Sequence, residues 1–292
     1  MSSAAAFEGL IEFAPGFAPR PQISHVLFDF DGTLSLIREG WAEVMLPMFL
    51  ELLPPSPGEA EASRRQLCRD DIMRLNGKQT IYQMIQLAER IRERGGTPRD
   101  PLWYKHEFLR RLEERLRPRL EGLRLGTIPR DDLLVAGARA LLEMLRRRGL
   151  GLYLASGTDE DDVKTEAELL GLTPYFGRHI YGAQDDYKKF SKRIVIETIL
   201  RENAITGTQL LAFGDGYVEI ENTKAAGGLA AGVASDEARN GSGRFDEWKR
   251  QRLRNAGADL IIPDFRDAAA LVECIFSSGR AASPPENTIN QR

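Results

Sequence analysis

From about Leu133 onward, short and almost wholly apolar runs alternate with helical patterns. Leu134, Ala138, Leu141, Leu142 and Leu145 line one helix face that Gly149 can close. Gly151 to Ser156 then reads as a strand, Glu160 to Leu170 as a helix and His179 to Tyr181 as a short strand. Lys192 to Leu200 reads as a helix, and Gln209–Phe213, Leu229–Val233 and Ala258–Ile262 as strands before a last helix over Ala268–Phe276. Strands apolar on both faces must be covered on both faces, which means a parallel sheet between two helix layers. One more such run, Ile23 to Phe30, stops at Asp29-Phe30-Asp31-Gly32-Thr33 and reads as a buried strand followed by a turn.

Between Ser35 and about Leu125 no strand pattern occurs. Trp41, Val44, Met45, Met48, Phe49 and Leu52 recur at helical spacing, Pro54-Pro55-Ser56-Pro57-Gly58 ends that helix, and Ile81–Ile91 and Phe108–Leu120 supply two more. The expected organisation is therefore an α/β core, residues 23–34 and 131–276, into which an all-helical segment, 35–130, is inserted after the first strand. Residues 1–22 read as an irregular lead-in and 277–292 as a polar, frayed tail.

Composition narrows the function classes. With 292 residues, 42% hydrophobic and 28% charged, the chain can bury a core of about two domains. Its 40 basic and 43 acidic residues leave a net charge of −3, which speaks against coating nucleic acid or an anionic membrane. No apolar run approaches the ~18–20 residues of a membrane span, and no secretory signal is expected at the N-terminus. Two cysteines, Cys68 and Cys274, make no disulfide framework, and the cytoplasm is the expected setting. His25, His106 and His179 lie far apart and near no cysteine, so no structural zinc site is expected. Arg146–Arg148 close a helix, and the Arg-rich stretch from 110 to 124 is interleaved with Glu113, Glu114 and Glu121, so both read as solvated faces. There is no phosphate-binding G-x-x-x-x-G-K-[ST] loop, no G-x-S-x-G elbow at Ser156, and no G-x-G-x-x-G after the first strand.

Ligands of open α/β sheets sit beyond the carboxyl ends of the strands. The polar residues there are Asp29 and Asp31, Ser156-Gly157-Thr158, Asp215 and Glu219, with Lys188, Lys189 and Lys192 clustered before a helix. Four separate segments thus deliver carboxylates, a hydroxyl and an ammonium to one rim. Each piece also has a plainer reading: an Asx-type turn, a helix N-cap, two solvated acids, surface lysines.

The order and spelling of these pieces resemble the haloacid dehalogenase superfamily, and its phosphatase branch in particular. The matching stretches are DFDGT at 29–33, ASGT at 155–158, a lysine near 188–192 and GDGYVE at 214–219. The resemblance spans about residues 23–276, with the helical insertion matched by position more than by spelling, and implies a Rossmann-like three-layer core with a helical cap domain. It implies that Asp29 is a nucleophile forming an aspartyl-phosphate and that Asp31 protonates the leaving alcohol and then activates water. It implies Mg²⁺ held by Asp29, the carbonyl of Asp31, Asp215 and, directly or through water, Glu219. The family usually carries Asp where Glu219 stands, and Glu221 is a weaker candidate for that role. Ser156, Gly157 and Thr158 would hold phosphate oxygens. Among the lysines, Lys189 ranks first, then Lys192, then Lys188.

Charge arithmetic agrees with that inventory. A phosphomonoester brings about −1.5 to −2, and like charges ~4 Å apart cost about 4 kcal/mol per pair at an effective dielectric of ~20. Without cations the site would repel its substrate; Mg²⁺ suits oxygen ligands of this kind. The resemblance further implies a small phosphorylated metabolite, a sugar phosphate among the candidates, with no nucleic-acid or membrane partner and a monomeric or homodimeric chain. Asn76-Gly77-Lys78-Gln79-Thr80 would be the cap loop that dips toward the site, with Gly77 and Lys78, or Gln79, as substrate contacts; Arg38 and Glu39 are further candidates. The rivals are a phosphomutase using the same aspartates, and a ligand-binding protein that has lost turnover. Phosphonate cleavage would need a cap lysine forming a Schiff base, and dehalogenation would not rely on the second Asp.

Overall fold

The computed structural model describes residues 7–8, 10–184 and 186–277. The strands are β1 (Phe7–Glu8), β2 (Ile11–Phe13), β3 (His25–Phe28), β4 (Gly151–Asp159), β5 (Ile180–Ala183), β6 (Leu210–Gly214), β7 (Leu229–Val233) and β8 (Leu260–Ile262). They form one sheet in the order β1-β2-β8-β7-β6-β3-β4-β5. From β8 to β5 every neighbouring pair is parallel. The helices of the core are α5 (Ala138–Arg147), α6 (Glu160–Leu169), α7 (Thr173–Phe176), α8 (Lys192–Glu202), α9 (Tyr217–Ala225), α10 (Glu247–Asn255) and α11 (Ala268–Phe276), and α1 (Trp41–Leu52), α2 (Glu61–Arg74), α3 (Thr80–Glu93) and α4 (Pro101–Leu125) precede them in the chain.

Alternation within each strand explains the layering. Val26, Phe28, Leu152, Leu154, Leu211 and Phe213 point to one face, where Leu141, Leu145, Leu271 and Ile275 cover them. Leu27, Tyr153, Ala155, Leu210 and Ala212 point to the other, against Val195, Ile196 and Ile199. Both faces are apolar because both are covered, and the fold is an α/β Rossmann-like one.

Two expectations need correction. The lead-in is not wholly irregular: β2 pairs antiparallel with β8, and β1 pairs antiparallel with β2, extending the parallel sheet by an edge hairpin. Ile11 is buried there, and Glu12 is held by Arg250 and Arg254 of α10. A three-residue strand whose acid is answered from 238 residues away leaves no periodic trace in the sequence. Second, the expected elements left out helices α2, α9 and α10, which carry no clear apolar stripe. Helix α2 buries only Cys68, Asp71 and Ile72, with Asp71 paired to Arg90 and Arg74, while α10 buries Lys249 and Leu253. The tail expected at 277–292 lies, apart from Ser277, outside the described residues.

Helices α1–α4 join the core through two adjacent connections. Leu36 N–H donates to the Leu133 carbonyl and Val135 N–H to that of Leu34, both at 2.9 Å. Arg119 of α4 donates to the carbonyls of Ile37 and Glu39 at 2.7 and 2.8 Å, stiffening the exit. Capping explains the length of α4, 25 residues: Asp100 accepts from Leu102 N–H, Pro101 opens the helix, and Gly126, with φ of 71°, closes it. No helix among the described residues is long and apolar enough to cross a membrane.

Candidate active site

The parallel register lines up the strand ends. Phe28 sits beside both Leu154 and Phe213, so Asp29, Ser156 and Asp215 emerge from three neighbouring strands at one edge. A cavity of about 580 Å³, counted to its open mouth, is lined there by Asp29, Asp31, Arg38, Ser156, Gly157, Thr158, Lys192 and Asp215 from one side. The facing wall is Trp41, Met45, Asn76, Gly77, Lys78, Thr80, Gln83, Phe108 and Leu112, all from the α1–α4 segment.

Asp29 is 4% exposed. Its Oδ1 accepts from Phe30 N–H at 2.8 Å and lies 2.7 Å from the Lys192 ammonium. Burial pushes its carboxyl up to about 7, against the pull of Lys192, and repulsion from Asp215 and Asp31 adds to the rise. Asp31 takes a different partner set: its Oδ2 accepts from the hydroxyls of Ser156 at 3.1 Å and Thr158 at 2.8 Å. Its Oδ1 is buried without a hydrogen-bond partner, 4.0 Å from Arg38 Nε. Ser156 also accepts from Thr158 N–H at 3.0 Å. Residues 157 and 158 belong to an irregular extension of β4, where its pairing with β5 shifts register; α6 begins only at Glu160.

The lysine beside Asp29 is Lys192, the second-ranked of the three. Lys188 and Lys189 are exposed, and Lys189 pairs with Asp186 at 3.1 Å. Ser191 caps α8 by accepting from Ile194 N–H, so the first residue of that helix aims at the strand end. Phe190 packs inward, and the carbonyls of Tyr187 and Phe190 accept from Gln79 Nε2 at 3.0 and 2.8 Å. The preceding turn is thereby pinned with its lysines outward. Three lysines within five positions carry nothing in the sequence that separates them.

Glu219, expected among the metal ligands, is 1% exposed; its carboxylate contacts the Lys192 ammonium, and both of its buried oxygens are without a hydrogen-bond partner. Asp215 is buried with Oδ2 at 2.9 Å from Lys249 of α10. Lys249, with Glu237 and Ser235 around it, has no counterpart in the sequence reading, because α10 is otherwise a polar surface helix. Arg38 is buried in ion pairs with Glu166 and Asp162, and Glu39 turns away to Arg119. Burial lifts the Glu166 carboxyl to about 7 although Arg38 opposes it.

The cap loop lies against the core. A Cβ on Gly157 would meet the Lys78 carbonyl at 2.8 Å, and one on Gly216 would meet Gly77 Cα at 3.1 Å. Gly77 has φ of 90°, a conformation that favours glycine at this approach. Lys78 lines the cavity, its Nζ 5.6 Å from the centre of the Tyr82 ring. Two tethers outside the sequence reading hold the segment down. Arg252 donates to the carbonyls of Met73, Arg74 and Asn76, and buried Lys105 of α4 meets Asp159 at 2.6 Å.

Could these residues hold a metal? Among the described residues no three His, Cys, Asp or Glu side chains gather as a cage. Mg²⁺ does not require one, since it is typically bound by one or two carboxylates and completes its shell with waters and substrate phosphate. The donor set is hard oxygen, and the mutual repulsion of Asp29, Asp31 and Asp215 is what a cation relieves. The residues fit the ion.

The family model of haloacid dehalogenase-like hydrolases matches residues 23–227. No curated protein matches the chain. Among solved structures, a predicted phosphoglycolate phosphatase from Haemophilus somnus 129PT is similar over 86% of this chain and 98% of its own, at 16% identity and a TM-score of 0.57. A predicted phosphatase from Clostridium acetobutylicum is similar at 19% identity over 86% and 99%, with a TM-score of 0.55. A family hydrolase from Deinococcus radiodurans, solved with bound phosphate and sodium, is similar at 18% identity over 87% and 97%, with a TM-score of 0.50. At such identities these likenesses speak for the fold, while the family match runs through all four strand-end segments: this chain belongs to the haloacid dehalogenase-like hydrolases.

Proposed function

We propose that the chain is a Mg²⁺-dependent phosphatase that cleaves a small phosphomonoester through an aspartyl-phosphate on Asp29. The observation that carries this reading is the pairing of Asp29 with Lys192 at 2.7 Å in a cavity that Asp31 also lines. A carboxylate held by one ammonium and one backbone amide is a positioned nucleophile. Asp29 attacks phosphorus, the bond to the leaving oxygen breaks, and Asp31 gives that oxygen its proton. Asp31 then takes a proton from water, the water oxygen attacks phosphorus, and phosphate leaves with Asp29 restored. For this Asp31 turns from the Ser156 and Thr158 hydroxyls toward the leaving group, freeing those hydroxyls for phosphate oxygens. Lys192 compensates charge on the transferring group, and Glu219 holds Lys192 in place.

Asp29, the carbonyl of Asp31 and Asp215 would hold the metal. When bound, the ion neutralises phosphate charge and orients the phosphorus for in-line attack.

A small substrate is supported by the approach of the loop at 76–80 to Gly157 and Gly216 of the core, which narrows the space over the strand ends. Asn76, Lys78, Thr80 and Gln83 offer polar contacts for a hydroxylated leaving group such as a sugar, and Trp41, Met45, Phe108 and Leu112 form its apolar backing. The Haemophilus relative described as a predicted phosphoglycolate phosphatase adds short phosphorylated acids to the panel. We place the chain in the cytoplasm as a monomer or homodimer, the buried free thiol of Cys68 being in keeping with a reducing compartment.

The test is phosphate release from a panel of phosphorylated metabolites, with Mg²⁺ and with chelator, using wild type and Asp29→Asn. Release that needs Mg²⁺ and is lost in the variant is expected. Isomerised product without release would mark a mutase, and an inert protein that still binds a phosphate ester would mark a silent relative.

A further inference from the structure

Lys249 reaches the candidate metal site from outside all four strand-end segments. Its side chain is 8% exposed. Each of its three ammonium protons has an acceptor: Asp215 Oδ2 at 2.9 Å, Glu237 Oε1 at 2.5 Å and Ser235 Oγ at 3.0 Å. Ser235 in turn donates to the Gly32 carbonyl at 2.5 Å. Gly32 itself, with φ of 71°, lies so close that a Cβ there would meet Asp215 Oδ2 at 2.5 Å and Lys249 Nζ at 2.9 Å. The first turn of α10 is anchored as well, since Asp246 accepts from Lys249 N–H at 2.9 Å. A saturated, buried ammonium between a backbone wall and a capped helix has nowhere else to go.

From this geometry we infer that Lys249 is a specificity-determining residue for the metal: it confines Asp215 to one-oxygen coordination and so selects Mg²⁺ over Ca²⁺. The inference rests on the proposed phosphatase site and on Asp215 as a ligand. Mg²⁺ takes six ligands in a near-ideal octahedron at about 2.0–2.1 Å, which a single carboxylate oxygen suits. Ca²⁺ takes about 6–8 oxygens at about 2.3–2.6 Å and gains from carboxylates that bind through both. With an ammonium already on Oδ2, an ion that moves from Oδ1 onto both oxygens moves toward a fixed positive charge. Ca²⁺ loses its favoured mode as well as meeting the charge, whereas Mg²⁺ meets the same charge but keeps its one-oxygen contact. Both ions carry the same charge, so the ratio of their affinities isolates coordination from plain electrostatics.

The test is isothermal titration of the full chain with Mg²⁺ and with Ca²⁺. Lys249→Met with Glu237→Gln removes the pair at constant net charge; Glu237→Gln alone is the control, and a thermal melt verifies folding. The double variant is expected to lower the ratio of the Ca²⁺ to the Mg²⁺ dissociation constant by tenfold or more, and the control to leave it within twofold. An unchanged ratio in the double variant, or an equal shift in the control, overturns the inference. Should the double variant not fold, a structure of Ca²⁺-loaded wild type decides: contact through Asp215 Oδ1 alone is expected, and two-oxygen contact overturns the inference. Mg²⁺ affinity that Asp215→Asn leaves intact would refute the metal site itself. Neither assay reads phosphate release, so a failure of the phosphatase reading shows separately.

Discussion

The two walls of the cavity are built by different means. On the core side, chemistry comes from side chains at adjacent strand ends, and the register of β3, β4 and β6 sets their spacing. Every carboxylate there has an assigned partner: Lys192 for Asp29, two hydroxyls for Asp31, Lys249 for Asp215. On the cap side, the closest approaches are main-chain ones, Gly77 to Gly216 and the Lys78 carbonyl to Gly157. Most of the tethers are likewise to carbonyls, from Arg252 and Gln79, with the Lys105–Asp159 ion pair the exception. A wall of side chains is sensitive to residue identity at each point. A wall of backbone is sensitive to bulk and tolerant of side-chain change. The core should therefore govern the chemical step and the cap should govern how substrate is admitted.

That division can be broken most severely at Asp29. Asp29→Asn is expected to lower phosphate release by about 10⁴-fold or more while leaving the fold intact, as read by single-turnover kinetics and circular dichroism. Ordinary turnover in this variant would remove the nucleophile from the core wall. A bulk change where the cap loop meets the core comes next. Gly157→Ala pushes a methyl against the Lys78 carbonyl, which is backbone and cannot yield without moving the loop. Catalytic efficiency should fall by about 10- to 100-fold with the Mg²⁺ dissociation constant unchanged; a matching loss of metal affinity would show that the two walls are not separable.

A side-chain change on the cap should matter less. Lys78→Ala should raise KM by about fivefold, the equivalent of one ordinary hydrogen bond, with kcat held. Unchanged kinetics would remove Lys78 from the substrate contacts. The smallest effect concerns stability against pH in the metal-free chain. Burial holds the Asp29 carboxyl at about 7, whereas in the unfolded chain it titrates near ~4. Between those values the folded state binds the proton more tightly, so Asp29 favours folding on the acid side and this support is lost as pH rises through about 7. Asp29→Asn should accordingly gain melting temperature relative to wild type at pH 8 compared with pH 5. A difference that is flat with pH, or of opposite sign, would mean that Asp29 is not held in its neutral form by burial.

Legibility in the sequence followed the same division. The apolar strands from 151 onward, the helices at 41–52 and 268–276 and the carboxylates at 29, 31 and 215 follow from local patterning. Their signals are short-range: a strand end, a turn and a polar residue lie within a few positions of one another. Helix α2 was invisible because it hides an aspartate behind two arginines instead of presenting an apolar face. The edge strand β2 was invisible because Glu12 finds its arginines at the far end of the chain.

By itself, then, the sequence determined that this chain builds a parallel α/β core with a helical segment after the first strand of that parallel core, and that two aspartates two residues apart stand at a strand end. Hydrophobic periodicity and turn chemistry are local, and both are written in neighbouring residues. Only the tertiary structure decided that Lys192 and not Lys189 meets Asp29, that Glu219 lies against that lysine, and that Lys249 stands at Asp215. Those choices depend on which charges share one buried volume, where an unpaired ion is costly and each must find its partner across the fold.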